Sequence, residues 1–179
     1  NREIAGSNLE RELRDIVHEK DEVELDPVDE VFKHALFLDI PEATNVDDLM
    51  QTAAAALNQQ LSLGSDRIEQ MLRERERESS TAISPFVAVP HLVLDDPGVF
   101  VLLGMRTPGI RFDDTYSSIK AVFVLAGSKD MRTLHLQTLA ALAQIAMDPR
   151  FEKEWLSVRR PEQLREVLLL GERRRISGS

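Results

Sequence analysis

The sequence predicts an α/β domain in which a mixed β-sheet is flanked by helices. Apolar runs of strand length, such as residues 119–126, alternate along the chain with amphipathic helical patterns, such as residues 46–61. This alternation indicates a layered α/β architecture. The chain has 179 residues, of which 42% are hydrophobic, so it suits one such domain with an extension and can bury a core.

Composition limits the classes of function. The formal net charge of −9 disfavours general nucleic-acid binding, because phosphate contacts need a basic surface. The absence of cysteine excludes disulfides and thiolate metal sites, and it is compatible with a reducing compartment. No apolar run approaches the roughly 20 residues that a membrane-spanning helix needs. Because residue 1 is Asn rather than Met, we expect a domain excised from a longer protein.

The N-terminal part contains two amphipathic segments and a short strand. Residues 8–20 have a helical pattern, with apolar side chains at Leu9, Leu13, Ile16 and Val17. Asp26-Pro27 starts a second, short helix, because proline is favoured in the first helical turn. Residues 35–38 then form a short buried strand.

Two longer helices are predicted next. Residues 46–61 place apolar side chains on one face, and Asn45 followed by two aspartates is a strong start signal. Gly64 separates this helix from a charged one at residues 65–77. Residues 79–86, rich in small side chains, are predicted to be a loop.

Three strands and three further helices complete the prediction. The strands are residues 87–89, 99–105 and 119–126, and a turn at residues 95–98 separates the first two. Gly127-Ser128 ends the third strand and begins a helix, and the helices are residues 130–147, 151–156 and 161–170. In the first of these helices the expected core residues are Leu134, Leu139, Leu142, Ala143 and Ile145.

Two of the four histidines, His91 and His135, follow predicted strands on their C-terminal side, whereas His18 and His34 read as surface or boundary residues. In open α/β sheets, ligands bind beyond the carboxyl ends of the strands. If the two strands are neighbours and parallel, both rings reach one crevice.

Histidine is suited to carrying a phosphoryl group, because its neutral ring is nucleophilic near pH 7. The transferred group needs stabilising donors, which the loop amides and hydroxyls of residues 79–84, a second imidazole or an arginine can supply. The helix beginning near Ser128 also directs its positive end toward an anion.

Other interpretations of these residues stay open. His135 on a leucine-rich helix fits a half-buried structural residue, and the alternating charges of residues 73–78 fit a solvated helix end. A two-histidine metal site lacks a third ligand at suitable spacing and is disfavoured. The chain contains neither a G-x-S-x-G nucleophile motif nor a glycine-rich phosphate loop.

An ordered set of motifs over about residues 30–170 resembles the phosphotransferase-system enzyme IIA domains of the fructose/mannitol class. Arg75-Glu76 ends a helix, Ser80-Thr81 and Ile83 match the family's Gly-Ser-Thr-Gly-Ile-Gly loop, and residues 87–91 (Val-Ala-Val-Pro-His) match its strand. Leu134-His135-Leu136 opens a later helix, and the 44 residues from His91 to His135 are similar to the family's spacing.

The resemblance implies a role for each of these residues. His91 stands where the family has its phosphorylated histidine, His135 where it has a second, phosphate-stabilising histidine, and Arg75 where it has an active-site arginine. Ser80, Thr81 and Ser84 are then the expected phosphate-binding residues, with neither a cofactor nor a metal. The family's histidine receives its phosphoryl group from a histidine phosphocarrier protein and passes it to a IIB partner. The loop departs from the pattern by reading Ser84-Pro85-Phe86 in place of Gly-Asn-Gly.

The sequences of the loop and of residues 123–128 are similar to those of a subgroup of enzyme IIA-like domains that are appended to the cytoplasmic end of amino-acid permeases and antiporters. We therefore expect a cytoplasmic regulatory domain, tethered to the membrane, whose partner is a transporter membrane domain or a histidine phosphocarrier protein. A working sugar phosphocarrier and a ligand-sensing or interaction module are the alternatives, and a homodimer is compatible with all three functions. The expected parts are a helical connector at residues 1–29, the enzyme IIA-like domain at residues 30–171 and a disordered tail at residues 172–179.

Overall fold

A five-stranded mixed β-sheet forms the centre of the computed structural model, which describes residues 26–175. The strands are β1 (Leu36–Asp39), β2 (Val87–Ala88), β3 (His91–Leu94), β4 (Phe100–Ile110) and β5 (Ile119–Ser128). β4 pairs antiparallel with one edge of β5 and parallel with β1. β2 and β3 both pair parallel with β5, one after the other, so they occupy its second edge.

Helices cover both faces of this sheet, as predicted. They are α1 (Pro27–His34), α2 (Val46–Leu61), α3 (Ser65–Glu78), α4 (Arg132–Met147), α5 (Pro149–Ser157) and α6 (Leu164–Leu169), with short 3₁₀ turns at residues 129–131 and 161–163. None of the helices between residues 26 and 175 is long and apolar enough to cross a membrane.

The hydrophobic core has two parts, one on each face of β5. Phe123 and Leu125 face α1, α4, α5 and α6, whereas Val122 and Val124 face α2 and α3. Successive side chains of a strand point to opposite faces, so a strand covered on both faces is apolar throughout. This explains the continuous apolar run from which the sequence predicts β5.

Local signals set the ends of the predicted helices. The Asn45 side chain accepts a hydrogen bond from the Asp48 amide at 2.8 Å, which caps α2 as expected. Ser62 ends this helix in a left-handed conformation with φ 55°. Gly64, with φ +96°, then starts α3, which is one residue longer than predicted.

The sheet extends further than the sequence predicts. Residues 91–94 form β3, which the prediction missed, although Leu92 and Leu94 are buried while Val93 is exposed. β4 continues to Ile110, with an irregular register after Arg106. β5 continues through Gly127-Ser128, because the Ser128 amide donates to the Val99 carbonyl at 2.8 Å. The helix expected from residue 130 therefore begins with a 3₁₀ turn, and α4 starts at Arg132.

The buried face of α4 also differs in part from the prediction. Leu142 and Ile145 are buried, as expected. The other fully buried positions of this helix are His135, Thr138 and Ala141. The remaining predicted core residues, Leu134, Leu139 and Ala143, are only half-buried. The face that α4 turns to the sheet is therefore more polar than its leucine pattern indicates.

Residues at both ends of the described chain pack together. Val28 and Phe32 of α1 are fully buried, so this helix belongs to the core, although the expected connector ends at residue 29. Arg173, whose side chain is 1% exposed, pairs with Asp26 and Asp29 at 3.0 Å each. Arg173 and Arg175 are thus held against Asp26 and α1. The predicted helix at residues 8–20 and the tail beyond residue 175 lie outside the described residues.

Arg106 of β4 joins three elements. Its Nε and Nη2 atoms donate to the Asp39 carboxylate of β1 at 2.7 and 2.9 Å. Its Nη1 atom donates to the carbonyls of Trp155 and Val158, at the end of α5, at 2.9 and 2.6 Å. The side chains of Arg106 and Asp39 are 16% and 32% exposed, so these bonds are largely shielded from water.

We expect Arg106→Ala to lower the free energy of unfolding by about 3 kcal/mol, because it leaves a partly buried carboxylate and two carbonyls without their donor. Urea denaturation followed by Trp155 fluorescence measures the change. The control is Arg111→Ala, which breaks a pair whose side chains are 67% and 97% exposed and which we expect to cause no measurable change. Equal unfolding curves for the two variants would contradict this account.

Candidate functional site

The rings of His91 and His135 contact each other edge to face near the carboxyl end of β5. Their centroids are 5.6 Å apart, and the ring planes meet at 74°. β3 begins at His91, which pairs with Leu125 of β5, and the chain leaves β5 for α4 only a few residues later. The strands that precede His91 and His135 are therefore parallel neighbours, which was the condition for a shared site. This pairing brings both imidazoles into one site.

The hydrogen bonds of His91 fix which ring nitrogen is free. Nδ1 lies 2.9 Å from the Val89 carbonyl, which can only accept a hydrogen bond. The neutral ring therefore carries its proton on Nδ1 and its lone pair on Nε2. The ring is half-buried, so Nε2 is the ring nitrogen that is available to accept a hydrogen bond or to react as a nucleophile.

Arg75 faces that nitrogen from the end of α3. Its Nη2 atom lies 3.5 Å from Nε2 of His91, and its Nη1 atom donates to the Ser79 carbonyl at 3.1 Å. The guanidinium is thus held between the loop and the imidazole. It supplies a permanent positive charge beside the nucleophilic atom.

His135 is buried and uncharged. Its side chain is on the first turn of α4, 6% of the residue is exposed, and Nε2 has no hydrogen-bond partner within residues 26–175. Burial lowers the pKa of His135, and its electrostatic interactions with His91 and Arg132 lower it further. The ring rests on Gly127, where a Cβ atom would lie 3.1 Å from its Nδ1 atom. Glycine therefore permits this close approach.

The loop at residues 79–86 is held by its own hydrogen bonds. The Thr81 amide and hydroxyl both donate to the Glu76 carboxylate, at 2.9 and 2.6 Å. The Ala82 amide donates to the Ser80 hydroxyl oxygen, and the amides of Ile83 and Ser84 donate to the Val87 carbonyl. The amides of residues 81–84, expected to face an anion, are therefore occupied within the protein.

The three predicted phosphate-binding hydroxyls lie on this loop, but no hydrogen bond joins any of them to His91 among the described residues. The Ser84 oxygen accepts from the amides of Phe86 and Val87 at 3.2 and 3.0 Å. A hydrogen bond from Ser80 is the main cause that lowers the pKa of Asp113, with the Tyr116 amide next. Thr81 is turned toward Glu76. The role of the three residues in binding phosphate stays a prediction.

Several residues around the site were given no role in it from the sequence. Glu76 holds Thr81, Asp113 interacts with Ser80, and the Phe100 ring packs edge-on against His135 with centroids 6.3 Å apart. Glu76 had a sequence signal, because it ends the apolar face formed by Ile68 and Leu72 at four-residue spacing. Asp113 and Phe100 had none, because only the folded sheet brings them to this edge.

Comparison with protein families identifies the family to which this chain belongs. The family described as phosphoenolpyruvate-dependent sugar phosphotransferase system, EIIA 2, matches residues 30–170, most of the chain. The chain belongs to this family. The match spans the sequence from Arg75 to His135. No curated protein sequence is significantly similar to the chain.

Solved structures share the EIIA fold at low sequence identity. The nitrogen regulatory protein IIA-Ntr from Neisseria meningitidis is 22% identical with a TM-score of 0.70, covering 79% of this chain and 98% of that protein. Enzyme IIA-mannitol from Escherichia coli is 17% identical with a TM-score of 0.60, covering 73% and 94%. In the complex of enzyme IIA-mannitol and phosphorylated enzyme IIB-mannitol from Escherichia coli, the matching chain is 16% identical with a TM-score of 0.58. The match covers 73% of this chain and 92% of that one.

The lowered pKa of His135 predicts a pH-dependent stability. Below its ordinary value of 6.5 the unfolded chain binds a proton more readily than the folded one, so unfolding becomes easier as the pH falls. Above that pH both states are neutral, and this contribution is fully retained. We expect His135→Gln to weaken the loss of unfolding free energy between about pH 7 and pH 5.

Urea denaturation at several pH values measures this dependence. His34→Gln is the control, because the His34 side chain is 81% exposed, and this variant keeps the dependence of the wild type. If His135→Gln and the wild type lose stability equally on acidification, burial of His135 is not the cause.

Proposed function

We propose that this chain is an enzyme IIA-like regulatory domain of a membrane transporter that binds or carries a phosphoryl group on Nε2 of His91. The observation that carries the proposal is the hydrogen bond from Nδ1 of His91 to the Val89 carbonyl at 2.9 Å. It leaves the nucleophilic lone pair on Nε2, and the Arg75 guanidinium donates a long hydrogen bond to this atom at 3.5 Å. Membership of the EIIA 2 family supports the same reading.

In the carrier form, the reaction is a direct phosphoryl transfer between two nitrogens. The bond from phosphorus to a nitrogen of the donor breaks while a bond to Nε2 of His91 forms, and the donor nitrogen keeps the electron pair. The proton on Nδ1 stays in place, so no general base is needed. The Val89 carbonyl stabilises the positive charge that develops on the ring.

Arg75 and His135 serve the transferred group. The guanidinium neutralises negative charge that develops on the phosphoryl oxygens. His135 is neutral, and its buried Nε2 atom has no partner within the described chain, so it can donate a hydrogen bond to one of these oxygens. Ser80 and Ser84 add hydroxyls at the loop, whereas Thr81 holds the loop in place.

The proposed attachment to a transporter rests on the N-terminal sequence and on the sequence of the loop at residues 79–86. The residues before α1 would connect the domain, which includes α1 and Arg173, to a transporter membrane domain and hold it at the cytoplasmic face. The partners are that membrane domain and a histidine phosphocarrier protein. The amphipathic pattern at residues 8–20 suits such a connector.

Two alternative functions each have an observation in their favour. A phosphocarrier in a sugar relay is supported by the likeness to enzyme IIA-mannitol, which was solved as a complex with phosphorylated enzyme IIB-mannitol. A sensing or interaction module is supported by the loop, because the amides of residues 81–84 are occupied and Pro85 lacks an amide hydrogen.

We expect phosphorylated histidine phosphocarrier protein to transfer an acid-labile phosphoryl group to the wild-type domain, measured by intact mass. His91→Ala abolishes the label. His135→Ala slows labelling about 100-fold, because it removes a donor to the transferred group. The control His34→Ala changes an exposed histidine that is distant in sequence from both His91 and His135, and it keeps the wild-type rate.

The outcomes separate the three functions. Label that remains on the domain when enzyme IIB is added supports a regulatory domain, whereas label that passes to enzyme IIB supports the sugar relay. A wild type that takes no label contradicts phosphoryl carriage and favours the sensing module. Label that persists in His91→Ala would show that His91 is not the acceptor.

A further inference from the structure

The Glu76 carboxylate binds the loop at residues 79–86, before β2, at two points. Oε1 accepts from the Thr81 amide at 2.9 Å, and Oε2 accepts from the Thr81 hydroxyl at 2.6 Å. Thr81 is only 5% exposed, so its donors need partners within the protein. Hydrogen bonds to a charged acceptor are stronger than those between neutral groups, so this contact fixes the position of Thr81 relative to α3.

Thr81 passes this restraint to the residue that orients His91. The Val89 amide donates to the Thr81 carbonyl at 2.9 Å, and the Val89 carbonyl accepts from Nδ1 of His91 at 2.9 Å. Val89 is 4% exposed, which shields both bonds from water. Three consecutive hydrogen-bonded contacts therefore lead from α3 to the imidazole of His91.

We propose that Glu76 is a positioning residue that fixes the tautomer of His91. By holding Thr81, it keeps the Val89 carbonyl at Nδ1, and this contact leaves the lone pair on Nε2. Arg75, the preceding residue of α3, meets Nε2 from the other side of the ring. The adjacent residues Arg75 and Glu76 thus act on the two nitrogens of one imidazole, one directly and one through Thr81 and Val89.

A purely structural role of Glu76 makes a different prediction. In that case the carboxylate only ties the end of α3 to the loop, and removing it lowers stability without changing the tautomer of His91. The tautomer is observable by long-range proton–nitrogen NMR correlations of the imidazole, because protonated and unprotonated ring nitrogens differ in chemical shift. This measurement is independent of phosphoryl transfer.

The test uses two variants that weaken the contact in different ways. Glu76→Gln retains one acceptor oxygen and places a donor where the second was, and Thr81→Val removes the hydroxyl with little change in volume. At about pH 8, where an ordinary histidine is neutral, we expect the Nε2-protonated form of His91 to appear in both. Labelling by phosphorylated histidine phosphocarrier protein should slow about 10-fold, the lower range for loss of an orienting partner.

Two further variants are the controls. Glu78→Gln changes the next glutamate of α3, which is exposed, and Thr81→Ser keeps the hydroxyl. Both should retain the wild-type tautomer and labelling rate. If the tautomer is unchanged in Glu76→Gln and Thr81→Val while their unfolding midpoints fall, Glu76 is structural and the inference is wrong. Thr81→Val decides alone if Glu76→Gln does not fold.

The kinetic part rests on the proposed function, but the tautomer part does not. A wild type that accepts no phosphoryl group refutes the proposed function, and the NMR comparison still decides the role of Glu76. Conversely, normal labelling of the wild type with an unaltered tautomer in both variants refutes only the role of Glu76.

Discussion

The site depends on the parallel pairing of β2 and β3 with the same edge of β5. This pairing sets His91 opposite Leu125, close to the point where β5 ends and α4 begins. His135 on the first turn of α4 then lies over Gly127, where a Cβ atom would crowd the ring at 3.1 Å. Two residues that are distant in sequence therefore meet because a sheet edge fixes their backbones.

The two histidines have different environments, and each environment sets a different property. The Val89 carbonyl fixes the protonated nitrogen of His91, whereas burial keeps His135 neutral. The permanent positive charge at the nucleophilic nitrogen comes from Arg75. A local cation beside a half-buried ring can attract an anion even in a chain of net charge −9, because short-range contacts outweigh screened distant charges.

The loop at residues 79–86, before β2, is organised around internal hydrogen bonds. Thr81 is buried, so its amide and hydroxyl require partners, and Glu76 supplies both. Ser84 accepts from two amides of its own turn, and Pro85 has no amide hydrogen to offer. A glycine-rich loop of the same family pattern would have the freedom to turn its amides outward. In this chain the loop restrains the position of His91 instead.

The sequence by itself determined the elements with strong local signals: the helix start at Asn45, the buried strand β5 and the ordered motifs around His91. Only the tertiary structure decided β3, the burial of His135 and the partner of Thr81. The physical reason is that helix caps and apolar periodicity act between neighbours in the chain. A short edge strand, a buried ring and a hydroxyl's hydrogen bond depend on distant residues, whose approach is set by how the sheet pairs and how its two faces are covered.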